Sequence, residues 1–201
     1  YDIINDDIGY VISGKDTTLK VSRFLLPNFQ GKLKPFSINF VIDNRLQIPG
    51  KIFYSESGDF ALTIFFDQRG SISAQLTLRK NEIILPSKIE PFEGKADITF
   101  SIIPTDKEIG TAWYLNGQQT ASRTIVASNQ FNFTVNGKTF FGDPSKDIQF
   151  ILGNFSVYIG DNEDNFETDS TIWENTVYLK YGKLIQFALG FDGVKVFDES
   201  D

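Results

Sequence analysis

The chain has 201 residues, of which 41% are hydrophobic and 14% aromatic, enough apolar material for the core of one two-layer domain. Its net charge of −7 argues against binding to nucleic acid, which requires lysine and arginine to replace phosphate counterions, and against attraction to an anionic membrane surface. Because cysteine and histidine are both absent, disulfides, cysteine zinc sites and Ser-His-Asp or Cys-His catalysis are excluded.

The hydropathy of the chain and its first residue indicate the cellular location that we expect for the protein. No segment approaches the roughly 18 consecutive apolar residues of a membrane span, so no membrane insertion is expected. The sequence contains no methionine, and Tyr1 therefore marks either a processing site or an engineered boundary. We expect a processed or multidomain protein that is secreted or attached to a cell surface.

Short apolar runs separated by turn residues predict β-strands along the first half of the chain. Residues 36–42 alternate apolar and polar side chains, as a half-buried strand does, and residues 24–35 form a loop with two prolines. The predicted strands of this half are 1–4, 8–12, 18–21, 36–42, 52–54, 60–66, 72–78 and 83–85.

The second half continues the pattern, without any window of helical periodicity. Asn116-Gly117, Asn136-Gly137 and Asp192-Gly193 predict tight hairpin turns, because glycine adopts positive φ without steric cost. The predicted strands here are 96–103, 111–115, 124–126, 131–135, 138–141, 148–152, 155–159, 173–181, 185–191 and 194–197. We predict a single all-β domain, a sandwich or barrel, over residues 1–201.

Three segments, taken in order, resemble the concanavalin-A-like lectin/glucanase superfamily and its laminin-G-like modules. They are residues 35–43 (PFSINFVID), residues 96–117 with their strand, polar loop and closing Tyr-Leu-Asn-Gly, and residues 157–160 (VYIG) followed by 190–198 (GFDGVKVFD). The sequence departs from the family at Phe40, where a tryptophan is usual, and in its longer spacing before the last hairpin. The resemblance implies a two-sheet antiparallel jelly-roll sandwich and a carbohydrate-binding or adhesion role.

The densest acidic run of the chain follows the strand predicted at residues 155–159. Oxygen ligands at this density suit Ca²⁺, which takes 6–8 oxygens in irregular geometry, and the resemblance adds that many family members bind calcium at a sheet edge. A solvated surface loop is the alternative interpretation. The candidate calcium ligands are Asp161, Glu163, Asp164, Glu167 and Asp169.

A glycoside hydrolase is a weaker alternative. Glucanases of this superfamily carry Glu-x-Asp-x-Glu on one strand, which places two carboxyl groups on one face at the roughly 5–5.5 Å that retaining hydrolysis needs. The nearest match runs from Glu163 to Glu167, but its central residue is Asn165 and it lies in the acidic loop. We therefore expect a protein without catalytic residues.

Exposed aromatic rings that could stack on sugars are the candidate ligand-binding residues. Trp173 is flanked by polar residues, with Tyr178 and Tyr181 nearby, and Trp113 alternates with Tyr114 on a strand, so that one of those two should face outward. Core packing is the favoured interpretation for Trp113 and an equal alternative for Trp173. The phenylalanines are expected in the core, because they have no polar tip to present to water.

Together these features predict a non-catalytic carbohydrate-binding or adhesion module of a secreted or surface protein, whose partner is a glycan or a cell surface. The absence of cysteine favours a microbial surface over an animal matrix, whose comparable domains usually carry a disulfide. A structural or protein-binding module of a surface assembly is the alternative.

Overall fold

The structure is a computed structural model that describes residues 10–13, 19–21, 26–43, 49–79, 82–143, 145, 149–160, 182–190 and 193–198, with side chains for 26–43, 49–79, 82–143 and 145. All regular elements in these residues are strands, and none is a helix able to cross a membrane. In chain order they are β1 (Tyr10–Ser13), β2 (Leu19–Val21), β3 (Asn28–Phe29), β4 (Lys32–Leu33), β5 (Phe36–Asp43), β6 (Gly50–Ser57), β7 (Phe60–Phe66), β8 (Ile72–Leu78), β9 (Glu82–Ile84), β10 (Lys95–Pro104), β11 (Glu108–Leu115), β12 (Gln118–Val126), β13 (Lys138–Phe141), β14 (Gln149–Gly160), β15 (Gly182–Gly190) and β16 (Gly193–Asp198).

The strands form two large antiparallel sheets and one short hairpin. The eight-stranded sheet has the order β12-β11-β10-β5-β14-β15-β16, and β1 also pairs with β14. The six-stranded sheet has the order β2-β13-β6-β7-β8-β9, and β3 pairs with β4 alone. This arrangement confirms the predicted all-β, two-sheet antiparallel sandwich. That all 201 residues form one domain stays a prediction.

The core lies between the two large sheets and follows from the alternation of side chains along each strand. On β5, Phe36, Ile38, Phe40 and Ile42 are fully buried, as the sequence pattern predicted. Alternate residues of β7 and β8 bury apolar side chains in the same cluster from the other sheet. Because successive side chains of a strand point to opposite faces, the remaining residues of β7 and β8 face outward.

The segments that carry the family resemblance lie together in the eight-stranded sheet. Residues 35–43 form β5, residues 96–117 form β10, β11 and their turn, and residues 157–160 end β14. In this sheet β5 lies between β10 and β14, so the three segments are neighbours in space although they are distant in sequence. The last segment forms β16, which pairs with β15 as the predicted hairpin at one end of the sheet.

Two of the predicted hairpin turns behave differently. Asn116 and Gly117 both have positive φ, 47° and 83°, and they join β11 to β12 as a type I′ turn does. The chain turns at Val135 and Asn136, but the hairpin predicted at Asn136-Gly137 is wrong, because residues 131–135 form no strand and β13 pairs with β6 and β2 instead. The apolar pattern of this irregular segment reflects core packing: the ring of Phe131 lies 5.4 Å from that of Phe60.

Candidate functional site

Most of the residues selected from the sequence lie outside the described part of the chain. This holds for the aromatic candidates Trp173, Tyr178 and Tyr181. It also holds for the candidate calcium ligands Asp161, Glu163, Asp164, Glu167 and Asp169. Their roles stay predictions. Among the residues that the structure describes, no group of three or more acidic side chains is arranged to hold a metal ion.

Trp113 is a core residue, which corrects its candidacy as a ligand-stacking residue. Its side chain is fully buried, its ring centroid lies 4.5 Å from that of Phe100, and its indole Nε1 donates a hydrogen bond to the carbonyl of Ser87. Tyr114, on the opposite face of β11, is only 1% exposed. The expectation that one of this pair faces outward is confirmed by Tyr114, but that ring is buried as well, so neither ring can stack on a sugar.

An open groove instead occupies the outer face of the six-stranded sheet, the face turned away from the core. It has a volume of about 510 Å³, within the roughly 300–1,000 Å³ typical of small-ligand sites. We call it the outer groove. It is lined by Pro49, Gly50, Lys51, Tyr54, Thr63, Phe65, Phe66, Asp67, Gln68, Gln75, Thr77 and Asp143.

Strand register sets the floor of the outer groove. Tyr54 on β6 pairs with Thr63 on β7, and Thr63 pairs with Gln75 on β8, so the three side chains form one row across the outer face. On the other side of Tyr54, Phe140 of β13 extends the same row. The row therefore runs from two aromatic rings to a hydroxyl and an amide.

The two aromatic side chains of this row form a stacked pair. The ring centroids of Tyr54 and Phe140 lie 5.0 Å apart with an interplanar angle of 26°. The Nζ of Lys51 lies over both rings, 5.2 Å from the centroid of Tyr54 and 5.9 Å from that of Phe140. An ammonium at this distance is attracted by the negative face of an aromatic ring, which holds the lysine over the pair.

A hydrogen-bonded network fixes the orientation of Tyr54. Its hydroxyl donates to Oε2 of Glu56, and Nζ of Lys138 lies 3.0 Å from Oε1 of the same carboxylate. Burial, the hydrogen bond to Glu56 and the charge of that carboxylate raise the pKa of Tyr54, so the phenol stays protonated. Burial works to raise the pKa of Glu56, but the hydrogen bonds from Tyr54 and Lys138 and the charges of Lys138 and Lys51 lower it overall.

A second carboxylate, that of Asp143, organises one end of the groove. Oδ2 of Asp143 accepts a hydrogen bond from the backbone N–H of Lys51 at 3.0 Å, and its Oδ1 accepts from the backbone N–H and the hydroxyl of Ser145 at 2.9 and 2.6 Å. Burial would raise the pKa of Asp143, but these hydrogen bonds and the charge of Lys51 lower it. The carboxylate therefore joins β6 to the turn after β13.

The lowered pKa of Asp143 predicts a dependence of stability on pH. A depressed pKa in the folded state stabilises the protein above the unfolded value, about 3.9 for aspartate, and this contribution is lost as the pH falls through the folded value. We expect Asp143→Asn to unfold at lower urea than the wild type at pH 7 and to lose less stability on acidification to pH 3. Urea unfolding at both pH values measures this, with exposed Glu93→Gln as control. Equal pH dependence of wild type and Asp143→Asn would contradict the role of the carboxylate.

Sequence reasoning missed the outer groove, because it assigned every phenylalanine to the core. Phe65 and Phe140 face the outer side of the sheet and are only partly buried, and Phe29 is 61% exposed. A signal was present for Phe65: it lies between Ile64 and Phe66, so alternation must turn it away from the core if its neighbours face inward. The proximity of Phe140 to Tyr54 depends on strand pairing, which the sequence does not reveal.

Similarity to solved structures agrees with this architecture. The receptor-binding domain of a botulinum neurotoxin C/D mosaic serotype is 12% identical with a TM-score of 0.60, over 100% of this chain and 56% of that one. A native heptameric SAP-like pentraxin from Limulus polyphemus is 15% identical with a TM-score of 0.51, over 94% and 95%. A structure of botulinum neurotoxin type C, a toxin that depends on interaction with two ganglioside molecules to enter cells, is 16% identical with a TM-score of 0.52, over 75% and 41%.

These likenesses show the fold, an antiparallel jelly-roll sandwich. The chain spans about half the length of the two botulinum structures, 56% and 41%, and nearly all of the pentraxin, 95%. No protein-family model and no curated protein sequence matches the chain. At identities of 12–16%, side-chain roles do not carry over, so the site has to be argued from this chain's own residues.

Proposed function

We propose that this protein is a non-catalytic carbohydrate-binding or adhesion module and that the outer groove holds the sugar. One observation carries the proposal: on an open sheet face, the Tyr54–Phe140 ring pair continues into the row of Thr63 and Gln75. A sugar ring presents an apolar face of C–H groups and an edge of hydroxyls. Such a ligand is complementary to aromatic rings beside hydroxyl and amide groups.

The comparisons with solved structures support a carbohydrate-binding role by analogy. The similar structures include a receptor-binding domain and a toxin whose cell entry depends on gangliosides, which are carbohydrate-bearing lipids. By this analogy the chain works outside the cell, secreted or at a surface, as one part of a larger protein. Its place within the concanavalin-A-like superfamily, as a laminin-G-like module, is part of the same proposal, as are its microbial source and its lack of enzymatic activity.

A glycan-array screen of the purified chain tests the proposal. We expect binding to a defined class of glycans, and we expect Tyr54→Ala to weaken it by about 10-fold, equivalent to about 1.4 kcal/mol, because it removes the ring that lines the groove. Phe140→Ala should also weaken binding, because it removes the ring on which Tyr54 is stacked. Phe29→Ala is the matched control, since that exposed ring lies on β3, outside both large sheets. Binding that survives both groove substitutions would place the sugar elsewhere, and no binding to any glycan would reject the function.

Running the same array with calcium and with chelator tests the proposed cofactor. If the run from Asp161 to Asp169 holds Ca²⁺ and Trp173, Tyr178 and Tyr181 contribute to the ligand site, chelation removes or weakens binding. Binding that is equal in both conditions would leave the outer groove as the sugar site without a metal.

A structural or protein-binding module is the second candidate, and the free edge of β12 favours it. In the described part of the chain β12 pairs only with β11, and most of its nine residues are exposed. Val126 on this edge is 82% exposed, and Ile83 on the neighbouring edge strand β9 is 60% exposed. An unpaired edge with apolar residues can accept a strand from a partner. A glycan array without binding in either condition would favour this candidate.

A further inference from the structure

The charged groups around the outer groove differ in whether they already have hydrogen-bond or ion-pair partners within the protein. Three carboxylates lie in or beside the groove, those of Glu56, Asp67 and Asp143. Glu56 is held by Tyr54 and Lys138, and Asp143 by three donors from Lys51 and Ser145. Each therefore already has hydrogen-bond donors from the protein.

The third carboxylate, Asp67, is committed to the β7–β8 turn. Its Oδ1 accepts hydrogen bonds from the backbone N–H groups of Arg69 at 2.8 Å and Ser71 at 3.1 Å, and its Oδ2 lies 3.7 Å from Nζ of Lys88. A carboxylate used in this way closes a hairpin and neutralises a neighbouring lysine. It adds little negative potential that would repel an anionic ligand.

Lys51 is the exception among these groups. Its ammonium lies over the rings of Tyr54 and Phe140, and within the described residues it donates no hydrogen bond and forms no ion pair, while its charge acts on the nearby carboxylates of Glu56 and Asp143. Its backbone N–H, by contrast, is bonded to Asp143, which fixes the position of the residue on β6. The groove thus presents a positioned cation with three N–H donors above the ring of Tyr54, and both residues line the groove.

We infer that the ligand of the outer groove is an acidic glycan, in which a carboxylate or sulfate group accepts hydrogen bonds from Lys51 while an adjacent sugar ring stacks on the groove side of Tyr54. This inference rests on the proposed function and narrows its ligand class. The chain carries a net charge of −7, so an anionic ligand needs a local cation to overcome the overall repulsion. Lys51 supplies that cation at the groove, since Lys88 and Lys138 are already paired with Asp67 and Glu56.

The same glycan array, read by the charge of the glycans that bind, provides the first test. We expect the hits to carry carboxylate or sulfate groups, and we expect Lys51→Gln to weaken them by about 10-fold or more, because a charge-assisted hydrogen bond is lost. Lys107→Gln is the matched control: it removes the same charge from an exposed site between β10 and β11, outside the groove, and leaves the ammonium of Lys51 over the rings. We expect that variant to bind within about 2-fold of the wild type, because an exposed charge away from the ligand is largely screened by salt.

A chondroitin sulfate tetrasaccharide in four forms separates the two sources of negative charge. The forms are the native one, the desulfated one, the carboxyl-reduced one, and the one treated both ways, which is neutral. Calorimetric titration of the wild type and of Lys51→Gln with each form shows whether a sulfate or a carboxylate meets the lysine. The neutral form should bind both proteins equally and weakly.

The outcomes distinguish this inference from the proposed function. If neutral glycans are the hits and Tyr54→Ala or Phe140→Ala weakens them, the acidic ligand is wrong and the carbohydrate function stands. If acidic glycans bind but Lys51→Gln and Lys107→Gln lose affinity equally, the attraction is unspecific and the inference also fails. If no glycan binds, both fail together.

Discussion

Replacing Trp113 by alanine is expected to lower the free energy of unfolding by about 3–5 kcal/mol, the usual range for truncating a buried tryptophan. The indole is fully buried and packs on the ring of Phe100. Alanine would leave a cavity and would also deprive the carbonyl of Ser87 of its donor. Urea unfolding measures the change, and a lower midpoint with an unchanged slope would assign the loss to stability rather than to a different unfolded state.

Trp113→Phe separates the two contributions. Phenylalanine fills much of the space of the buried indole but lacks the N–H that donates to the carbonyl of Ser87. The free energy of unfolding of Trp113→Phe should therefore lie between that of the wild type and that of Trp113→Ala. Neither substitution should change the intrinsic glycan affinity of the folded protein, since the ring is inaccessible. Unchanged stability of Trp113→Ala would mean that the indole is not in the core, and its candidacy as a ligand-stacking residue would return.

The fold could be predicted from the sequence because its strands alternate cleanly. Phe36 to Ile42 shows the period of two that only a half-buried strand requires, and Asn116-Gly117 has the residues that a type I′ turn demands. Residues 131–135 misled the same reasoning. Their apolar positions serve an irregular segment in which Phe131 and Phe133 pack on Phe60 without a partner strand.

The candidate site could not be predicted, because it depends on which strands pair and which faces remain open. Tyr54 and Phe140 are far apart in sequence and meet only through the pairing of β6 with β13. The opposite error arose at Tyr114, which alternation places on the outer face of the eight-stranded sheet. That face is buried there, since Ser37 and Thr99 on it are also fully buried. Alternation predicts the two faces of a strand but not what covers each of them.

Gly58→Ala is the second substitution with a large expected effect, because two constraints act on this glycine at once. Gly58 lies in the turn between β6 and β7 with a φ of +55°, and a Cβ added there would lie 1.8 Å from the backbone oxygen of Asn132. The same oxygen accepts a hydrogen bond from the backbone N–H of Asp59 at 3.0 Å. The carboxylate of Asp59 in turn accepts hydrogen bonds from the backbone N–H and the side-chain amide of Asn132. A methyl group would therefore push apart the turn and the segment that closes over it.

Gly94→Ala isolates the first constraint, the positive φ, since Gly94 has a φ of +73° but nothing within 4 Å of an added Cβ. We expect Gly94→Ala to cost about 1–2 kcal/mol of unfolding free energy, the strain of a left-handed alanine. Gly58→Ala should cost at least about 1 kcal/mol more, because hydrogen bonds to Asn132 are lost as well. Urea unfolding of the two variants side by side measures the difference. Equal losses would show that the close approach of Asn132 to the turn contributes nothing to stability, and that φ alone makes glycine necessary at residue 58.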